Sequence, residues 1–295
     1  MSQSVRPRRS VLYMPGSNAR ALEKAKGLPA DALILDLEDA VAPDAKDMAR
    51  AQVCEAAKTG DYAPREVVIR SNGLATPWGR DDIAAAATSG ADAILLPKVE
   101  SAAMVAEAEA LMDAAGAPAS QSLWCMMETP LGMLHAEAIA AASPRIACLV
   151  MGTSDLAKDL YAHHTRERLP MLTGLSLCLL AARAYGVAIV DGVHLGLDDE
   201  EGLDFACKQG LELGFDGKTL IHPKQIGAAN RAFAPSEAEV ADAKRIIEAH
   251  AEAEKEGKGV VVVDGRLIEN LHVENAQRLI GLADAIAKLD AAAAA

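Results

Sequence analysis

Short apolar runs alternate with longer amphipathic segments over residues 1–234, and this alternation limits the possible folds more than any other feature of the sequence. The runs have the length and the Val, Ile and Leu content of buried parallel strands, and the segments have the spacing of helices that bury one face. Parallel strands joined by helices form right-handed crossovers, and eight such units can close into a barrel. The sequence therefore predicts an α/β fold, a (β/α)8 TIM barrel, and disfavours an open doubly wound sheet.

Eight strands and eight helices are predicted from these patterns. The predicted strands are Ser10–Met14, Ala32–Leu37, Glu66–Arg70, Ala93–Pro97, Leu123–Glu128, Ile146–Met151, Val187–Val190 and Lys218–Ile221. The predicted helices are Ala19–Leu28, Asp44–Lys58, Asp81–Ser89, Ser101–Ala115, Leu131–Ala142, Leu169–Tyr185, Asp199–Leu213 and Lys224–Phe233. All strands should end at one edge of the barrel, which is where TIM barrels bind their ligands.

Residues 235–295 lie outside the alternation and form a C-terminal helical extension. Ser236, with Glu239 three residues later, has the pattern of a capping box and should begin a helix. An apolar run and an Asp264-Gly265 turn follow, then a helix over Val273–Leu289, while Ala291–Ala295 should fray. We predict a barrel domain at 1–234 that carries the site and, at 235–295, a cap or an arm that reaches a neighbouring subunit.

The charge and cysteine content narrow the class of partner. The chain has 29 basic and 42 acidic residues and a net charge of −13, which disfavours attraction to nucleic acid or an anionic membrane. The first residues lack an apolar signal core, no uninterrupted apolar run reaches the roughly 20 residues that span a bilayer, and the five cysteines suggest neither a disulfide framework nor a zinc motif. We therefore expect a cytoplasmic protein with a small-molecule substrate.

Polar and ionisable residues collect where the predicted strands end. A strand end needs no charge for its stability, so many ionisable groups at one edge indicate a ligand site. The strand-end residues are Tyr13 to Ser17, Asp36, Glu38, Asp39, Arg70, Asn72, Lys98, Glu128, Asp155, Asp191, His194 and His222.

Glu128 and Asp155 are the predicted metal ligands. Each closes an apolar run, and Mg²⁺ commonly takes one or two protein carboxylates and completes its shell with water and substrate oxygens. The expected cofactor is Mg²⁺, with Mn²⁺ as its alternative. A structural alternative is that each carboxylate caps the following helix or pairs with a lysine. The acidic cluster of Asp36, Glu38 and Asp39 is a second candidate for the metal, or for anchoring its waters.

Arg70 should place a permanently charged donor in the mouth of the barrel. A planar guanidinium suits a substrate carboxylate or an enolate oxygen that develops during reaction. An ion pair with Asp36 or Glu38 is the structural alternative, and the two roles are compatible. We therefore place Arg70, Asp36 and Glu38 in the predicted catalytic group.

Six motifs resemble the citrate lyase beta-subunit-like branch of the HpcH/HpaI aldolase and citrate lyase family. This branch includes malyl-CoA, β-methylmalyl-CoA and citramalyl-CoA lyases, and the resemblance spans nearly the whole chain. The motifs are Arg9-Ser-Val-Leu-Tyr-Met-Pro-Gly-Ser-Asn18, Leu35-Asp-Leu-Glu-Asp-Ala-Val41, Arg70-Ser-Asn72, Met127-Glu-Thr129, Met151-Gly-Thr-Ser-Asp-Leu156 and Gly217-Lys-Thr-Leu-Ile-His-Pro223.

This resemblance implies a magnesium-dependent barrel that acts on acyl-CoA thioesters and assembles as a homotrimer or hexamer. Glu128 and Asp155 match the metal ligands of the family, and Arg70 matches the arginine that stabilises the thioester enolate. The resemblance also implies that CoA is contacted by the first strand end and the first helix. The residues concerned are Tyr13, Ser17, Asn18 and Lys24, and Asn18 stands where some lyases have arginine.

The C-terminal motif bears on the reaction. Many lyases of this branch have Met-Ile-Asp there, and the aspartate serves a neighbouring subunit's site, whereas this chain has Leu267-Ile-Glu269-Asn270. The resemblance implies that Glu269 is the acid or base. An added methylene moves a carboxylate by roughly 1 Å, enough to change a rate about a hundredfold. Family paralogues resembling malyl-CoA thioesterases have tails closer to this form, and there the carboxylate could activate water.

Three functions follow from the resemblance. The first is a carbon–carbon lyase that splits malyl-CoA or a methylated relative into a short acyl-CoA and an α-keto acid such as glyoxylate. The second is a thioesterase that hydrolyses (3S)-malyl-CoA to malate and CoA. The third, from another class, is a non-catalytic subunit that binds acyl thioesters; loss of the metal pair or of Arg70 would indicate it, and neither is lost.

Overall fold

Consecutive parallel strands close into an eight-stranded barrel, in which the last strand pairs with the first. The structure is a computed structural model that describes residues 6–294. The predicted TIM barrel is confirmed, and the strand bounds differ from the predicted ones by no more than one residue at either end. The strands are β1 (Ser10–Pro15), β2 (Ala32–Asp36), β3 (Glu66–Arg70), β4 (Ala93–Leu96), β5 (Ser122–Met127), β6 (Ile146–Met151), β7 (Ala188–Asp191) and β8 (Gly217–Leu220).

The helices of the barrel follow the predicted order with two differences. The sequence predicts one helix over Leu131–Ala142, but the chain leaves the helical conformation at His135, whose ψ is 13°. Helix α7 has only seven residues, too few to show a helical period. The helices are α1 (Ala19–Ala25), α2 (Lys46–Lys58), α3 (Gly79–Ala87), α4 (Ala102–Ala114), α5 (Pro130–Leu134), α6 (Ala136–Ala140), α7 (Thr153–Asp159), α8 (Leu172–Ala184), α9 (Glu200–Leu213) and α10 (Ile226–Phe233).

The core has two layers because side chains alternate along each strand. One set of apolar side chains packs between the strands and the surrounding helices, and the other fills the barrel interior. Trp124 is fully buried in the interior, with the Arg8 guanidinium 5.0 Å from the centre of its ring. Because the interior is filled, the carboxyl end of the barrel is the place for a site.

A second compact unit contains, of the described residues, 6–7 and 234–294. Ser236 and Glu239 form the predicted capping box at the start of α11 (Glu237–Lys255). Strands β9 (Val261–Val263) and β10 (Arg266–Ile268) form a hairpin whose turn residues, Asp264 and Gly265, have φ of 49° and 77°. Positive φ at both central residues is what a tight hairpin of this kind requires.

The last helix, α12, covers Asn270–Ala294 and packs along α11. The prediction that Ala291–Ala295 fray was wrong for 291–294, since alanine has the strongest helix propensity and continues the helix. Ala295 lies outside the described residues. Within 6–294, no helix is both long enough and apolar enough to cross a bilayer.

Candidate active site

Three ionisable side chains lie at the ends of the rows of apolar side chains that fill the barrel interior. The alternation of interior-facing residues reaches Asp36 at the end of β2, Arg70 at the end of β3 and Glu128 directly after β5. Asp36 and Arg70 are register partners on neighbouring strands. All three are almost completely buried, with 1, 5 and 2% of their surface exposed. The strands thus carry charge into the barrel mouth, where an apolar residue would otherwise complete the core.

Arg70 is held between two carboxylates. Its Nε and Nη2 donate to Asp36 Oδ1 and Oδ2 at 2.6 and 2.7 Å, a bidentate pair, and its Nη1 lies 2.7 Å from Glu38 Oε2. The guanidinium carbon stands 5.0 Å from the centre of the Tyr13 ring. The ion pairs that the sequence left as an alternative are therefore present, and they fix the guanidinium plane in the barrel mouth.

The two carboxylates beside Arg70 differ in their affinity for a proton. Burial alone would raise the pKa of Asp36, but the Arg70 charge and hydrogen bonds from Arg70 and two backbone N–H groups hold that pKa below its usual range. At Glu38 burial prevails and raises the pKa, against the opposing effects of Arg70 and Lys98. Burial also raises the pKa of Tyr13, so its phenol stays neutral. Asp36 is thus the fixed anion that orients Arg70.

Lys98 joins carboxylates from three segments. Its Nζ lies 2.9 Å from Glu38 Oε1 and 3.3 Å from Asp155 Oδ2, and its backbone N–H donates to Glu128 Oε1 at 2.8 Å. The φ of Lys98 is 50°, in the left-handed region that a lysine rarely adopts. Strained residues of this kind persist where the surroundings over-determine them, and they cluster at functional sites.

Glu128 and Asp155 have the donor chemistry that suits a hard divalent cation. Burial, together with the charge of Glu38, raises the pKa of Glu128 to about 7, so added positive charge would favour its ionised form. The Lys98 ammonium beside Asp155 indicates that a cation is stable there. Within residues 6–294, no group of three or more His, Cys, Asp or Glu side chains is arranged as metal ligands. The two carboxylates nevertheless fit Mg²⁺, which commonly takes only one or two.

Gly152 allows the segments that carry the two predicted metal ligands to approach each other. A β carbon at this position would lie 2.4 Å from Glu128 Cβ and 2.6 Å from Glu128 Oε2. The Gly152 N–H donates to the Met127 carbonyl at 2.9 Å, and α7, which carries Asp155, begins at the next residue. The absence of a side chain at residue 152 therefore lets the end of β6 pass directly beside Glu128.

The residues predicted to contact CoA extend from β1 onto α1. Tyr13 is half-buried against the guanidinium described above, and Ser17 is half-buried in the following turn. Asn18 is exposed and caps α1, since its side chain accepts the Ala21 N–H at 3.1 Å. Lys24 is exposed on α1. The cap gives Asn18 a structural role, and the CoA contacts of this group remain a prediction.

Glu269 lies in the C-terminal unit, between β10 and α12. It is half-buried, its backbone N–H donates to His272 Nδ1 at 3.0 Å, and its carbonyl accepts the His272 N–H. These bonds involve only the backbone of Glu269. Its predicted role in a neighbouring subunit's site stays a prediction.

Among the residues that support the site, sequence reasoning missed Lys46 and placed Asn72 and Lys98 only in the general group of strand-end residues. Lys46 is 6% exposed, and its Nζ donates to the carbonyls of Leu37 and Glu38 at 2.8 and 2.7 Å. Asn72 donates to the same Leu37 carbonyl at 3.0 Å. Lys98 and Asn72 both follow predicted strands, which is why both are among the predicted strand-end residues. Lys46 gave no such signal, because a lysine in an amphipathic helix is usually exposed.

Residues 9–223 match the sequence model of the HpcH/HpaI aldolase/citrate lyase family. The chain belongs to this family. The match covers all eight barrel strands and both predicted metal ligands. The resemblance seen in the motifs is therefore confirmed.

Relatives of known name cover almost the whole chain. A (3S)-malyl-CoA thioesterase of Cereibacter sphaeroides is 53% identical over 99% of this chain and 100% of its own length. A citrate lyase subunit beta of Leuconostoc mesenteroides is 39% identical over 95% of this chain and 94% of its own. The structure of the CitE protein of Mycobacterium tuberculosis, in complex with magnesium, acetoacetate and coenzyme A, covers 94% of this chain and 98% of its own. The CitE structure superposes on the structure of this chain with a TM-score of 0.74, and the two sequences are 29% identical over the matched region, which is 94% of this chain and 98% of the CitE chain. The chain therefore belongs to an enzyme family, and the related CitE protein has been solved with bound magnesium.

Proposed function

We propose that this protein is a magnesium-dependent thioesterase that hydrolyses (3S)-malyl-CoA or a close homologue to the free hydroxy acid and CoA. The observation that carries the proposal is the 53% identity, along the whole chain, to a protein named for that reaction. Coenzyme A and magnesium in the related CitE structure support the same substrate class and cofactor. The relatives favour hydrolysis over the carbon–carbon cleavage that the sequence suggested first.

Glu128 and Asp155 would hold the metal in this proposal. Bound Mg²⁺ supplies Lewis-acid polarisation and a fixed orientation for the hydroxy-acid oxygens of the substrate. Lys98 holds its own segment against both ligands through its backbone N–H and its ammonium group. The residues of the chain thus set the position of the α-hydroxy acid, and hence that of the thioester carbonyl.

Arg70 is the proposed stabiliser of charge on the thioester oxygen. In hydrolysis a water oxygen bonds to the carbonyl carbon, negative charge develops on the carbonyl oxygen, and the carbon–sulfur bond then breaks. CoA leaves as the thiolate, which takes up a proton. The bidentate pair with Asp36 fixes the Arg70 plane before substrate arrives, and such pre-organised donors lower the barrier because they need no reorientation.

Glu269 is the proposed base that takes the proton from the attacking water. Because its side chain is not needed for the backbone bonds at the start of α12, the carboxylate is available for chemistry. We propose that it serves the site of a neighbouring subunit within a trimer or hexamer. The C-terminal unit would then be the arm that delivers it.

Product analysis with (3S)-malyl-CoA tests the proposed reaction. We expect free thiol and malate to appear in equal amounts in the presence of Mg²⁺, with no glyoxylate and no acetyl-CoA. The assay follows thiol with a chromogenic disulfide and glyoxylate as its hydrazone in the same sample. Glyoxylate and acetyl-CoA in equal amounts, without free thiol, would identify a lyase and overturn the proposal.

Replacement of Glu269 by glutamine tests the base. We expect kcat for thiol release to fall about a hundredfold with KM nearly unchanged, since general bases contribute on this scale or more. Glu274→Gln, at an exposed glutamate of the adjoining helix α12, is the matched control and should keep wild-type kinetics. Glu269→Asp should retain part of the activity, because it keeps a carboxylate at a shifted position. Wild-type kcat in Glu269→Gln would rule out this residue as the base.

A further inference from the structure

A cavity of about 390 Å³ lies between the segments that follow β6 and β7. Thr153, Val193 and His194 line it, as do Arg168 and Lys218. Neither Glu128 nor Asp155 is among its lining residues. Its volume falls within the range of small-molecule sites. The cavity therefore adjoins the candidate active site, with which it shares the α7 segment, but has its own set of polar groups.

A buried charge triad forms one wall of this cavity. Asp191 is completely buried and Lys218 is 1% exposed, with Lys218 Nζ 3.0 Å from Asp191 Oδ2. Arg168 Nη1 donates to both oxygens of Asp191 at 2.6 and 2.8 Å. Burial alone would raise the pKa of Asp191, but the two cations hold it below its usual range, so the carboxylate is ionised. Two cations then face one anion, and the triad carries a net charge of +1.

Arg168 has donor capacity that the protein does not use. Its Nε donates to Gln209 Oε1 at 2.7 Å and its Nη1 binds Asp191, whereas Nη2 is buried and has no hydrogen-bond partner among residues 6–294. A buried donor of a charged group that stays unpaired is costly, so each such case calls for a partner. The φ of Arg168 is 55°, a left-handed conformation that costs energy in a non-glycine residue.

Acidic side chains also line the cavity, but they are exposed and already engaged. Glu201 lies 3.3 Å from Arg166, and Asp199 caps α9 through the Gly202 N–H and lies 3.3 Å from His194 Nε2. Because both carboxylates face water, their field is screened, whereas that of the buried triad is not. The electrostatic potential inside the cavity is therefore set mainly by the buried triad and is positive.

We propose that this cavity is a second ligand site, which binds a small carboxylate anion against Arg168 and Lys218. One negative charge would neutralise the triad, and a small shift of the Arg168 side chain would bring its buried, unused Nη2 donors to a carboxylate oxygen in the cavity. Charge-assisted bonds of this kind are the strong ones, and guanidinium groups are well suited to carboxylates. The inference does not depend on the reaction that the protein catalyses.

Thermal denaturation of the full chain in EDTA, with sodium acetate as the probe and sodium chloride at equal ionic strength as the reference, tests this site. EDTA removes carboxylate binding that depends on a metal. We expect acetate to raise Tm saturably, since a ligand that binds the folded state stabilises it. Arg168→Gln should weaken acetate binding roughly tenfold to a hundredfold, in line with the loss of charged hydrogen bonds.

Three further variants keep the test decisive. Ala206→Met fills the cavity from α9 without changing its charge and should also abolish the acetate effect, so it decides the matter if Arg168→Gln fails to fold. Two variants should retain the acetate-dependent rise in Tm. They are Arg183→Gln, at an exposed arginine paired with Asp216, and Asp155→Asn, in the proposed metal-ligand pair. Equal acetate affinity in Arg168→Gln, Ala206→Met and wild type would overturn the proposal. So would saturable binding of inorganic phosphate without any binding of acetate.

Discussion

Lysine in place of Arg70 is expected to lower kcat/KM for malyl-CoA roughly a thousandfold, the upper part of the range found when a donor to a developing oxyanion is removed. The substitution keeps the positive charge beside Asp36 and Glu38. It removes the bidentate geometry by which Arg70 Nε and Nη2 bind Asp36 at 2.6 and 2.7 Å. A lysine ammonium is a point charge on a flexible stem, so it cannot hold the same orientation.

Stability and kinetics must be measured together, because Arg70 also neutralises buried carboxylates. Replacing one partner of a buried ion pair with an uncharged residue costs about 3–5 kcal/mol, and lysine is chosen to avoid most of that loss. We expect a small change in Tm and a large fall in kcat. Arg231→Lys, at an exposed arginine of α10, is the matched control and should leave both unchanged. A fall in activity that merely parallels the fraction of unfolded protein would assign Arg70 a structural role alone.

Glutamine at position 128 is expected to abolish the response of the enzyme to Mg²⁺ and to lower kcat by roughly a thousandfold or more. Metal catalysis commonly supplies several kcal/mol, and each 1.36 kcal/mol is a factor of about ten in rate. The substitution preserves the shape of the side chain and removes its charge. Because Glu128 is 2% exposed and loses solvation by burial, the neutral variant should be no less stable than the wild type.

Loss of the Mg²⁺ response without loss of stability distinguishes a metal ligand from a structural carboxylate. We would measure thiol release and Tm as functions of Mg²⁺ concentration for Glu128→Gln and for the control Glu212→Gln, an exposed glutamate on α9. The wild type and the control should gain activity and Tm with Mg²⁺, and the variant should gain neither. Full Mg²⁺-dependent activity in Glu128→Gln would remove this residue from the metal site.

The positions of the main site residues could be read from the sequence because strand periodicity fixes them. Parallel strands of regular length bring their carboxyl ends to one edge, so Asp36, Arg70 and Glu128 had to converge once the strands were located. Asp155 follows β6 by the same argument. Their roles in chemistry stay predictions, because the ion pairs of Arg70 with Asp36 and Glu38 also give these charges a structural role.

Contacts made by loops could not be predicted in this way. Lys98, which contacts Glu38 and Asp155, has a positive φ, and local sequence does not encode that conformation for a lysine. Arg168 joins Asp191 from a segment 23 residues earlier, and no periodicity relates the two. Such pairs depend on loop geometry set by tertiary packing, which one sequence does not reveal.

Position 152 offers a diagnostic for other sequences. Any side chain there would collide with the buried carboxylate beside it, because its β carbon would lie only 2.4 Å from Glu128 Cβ. A chain that keeps both acids but has lost this glycine cannot arrange them in the same way. Inspection of that one position, together with the two acids, should therefore separate relatives that retain this arrangement from relatives that keep both acids but cannot bring them together in the same way.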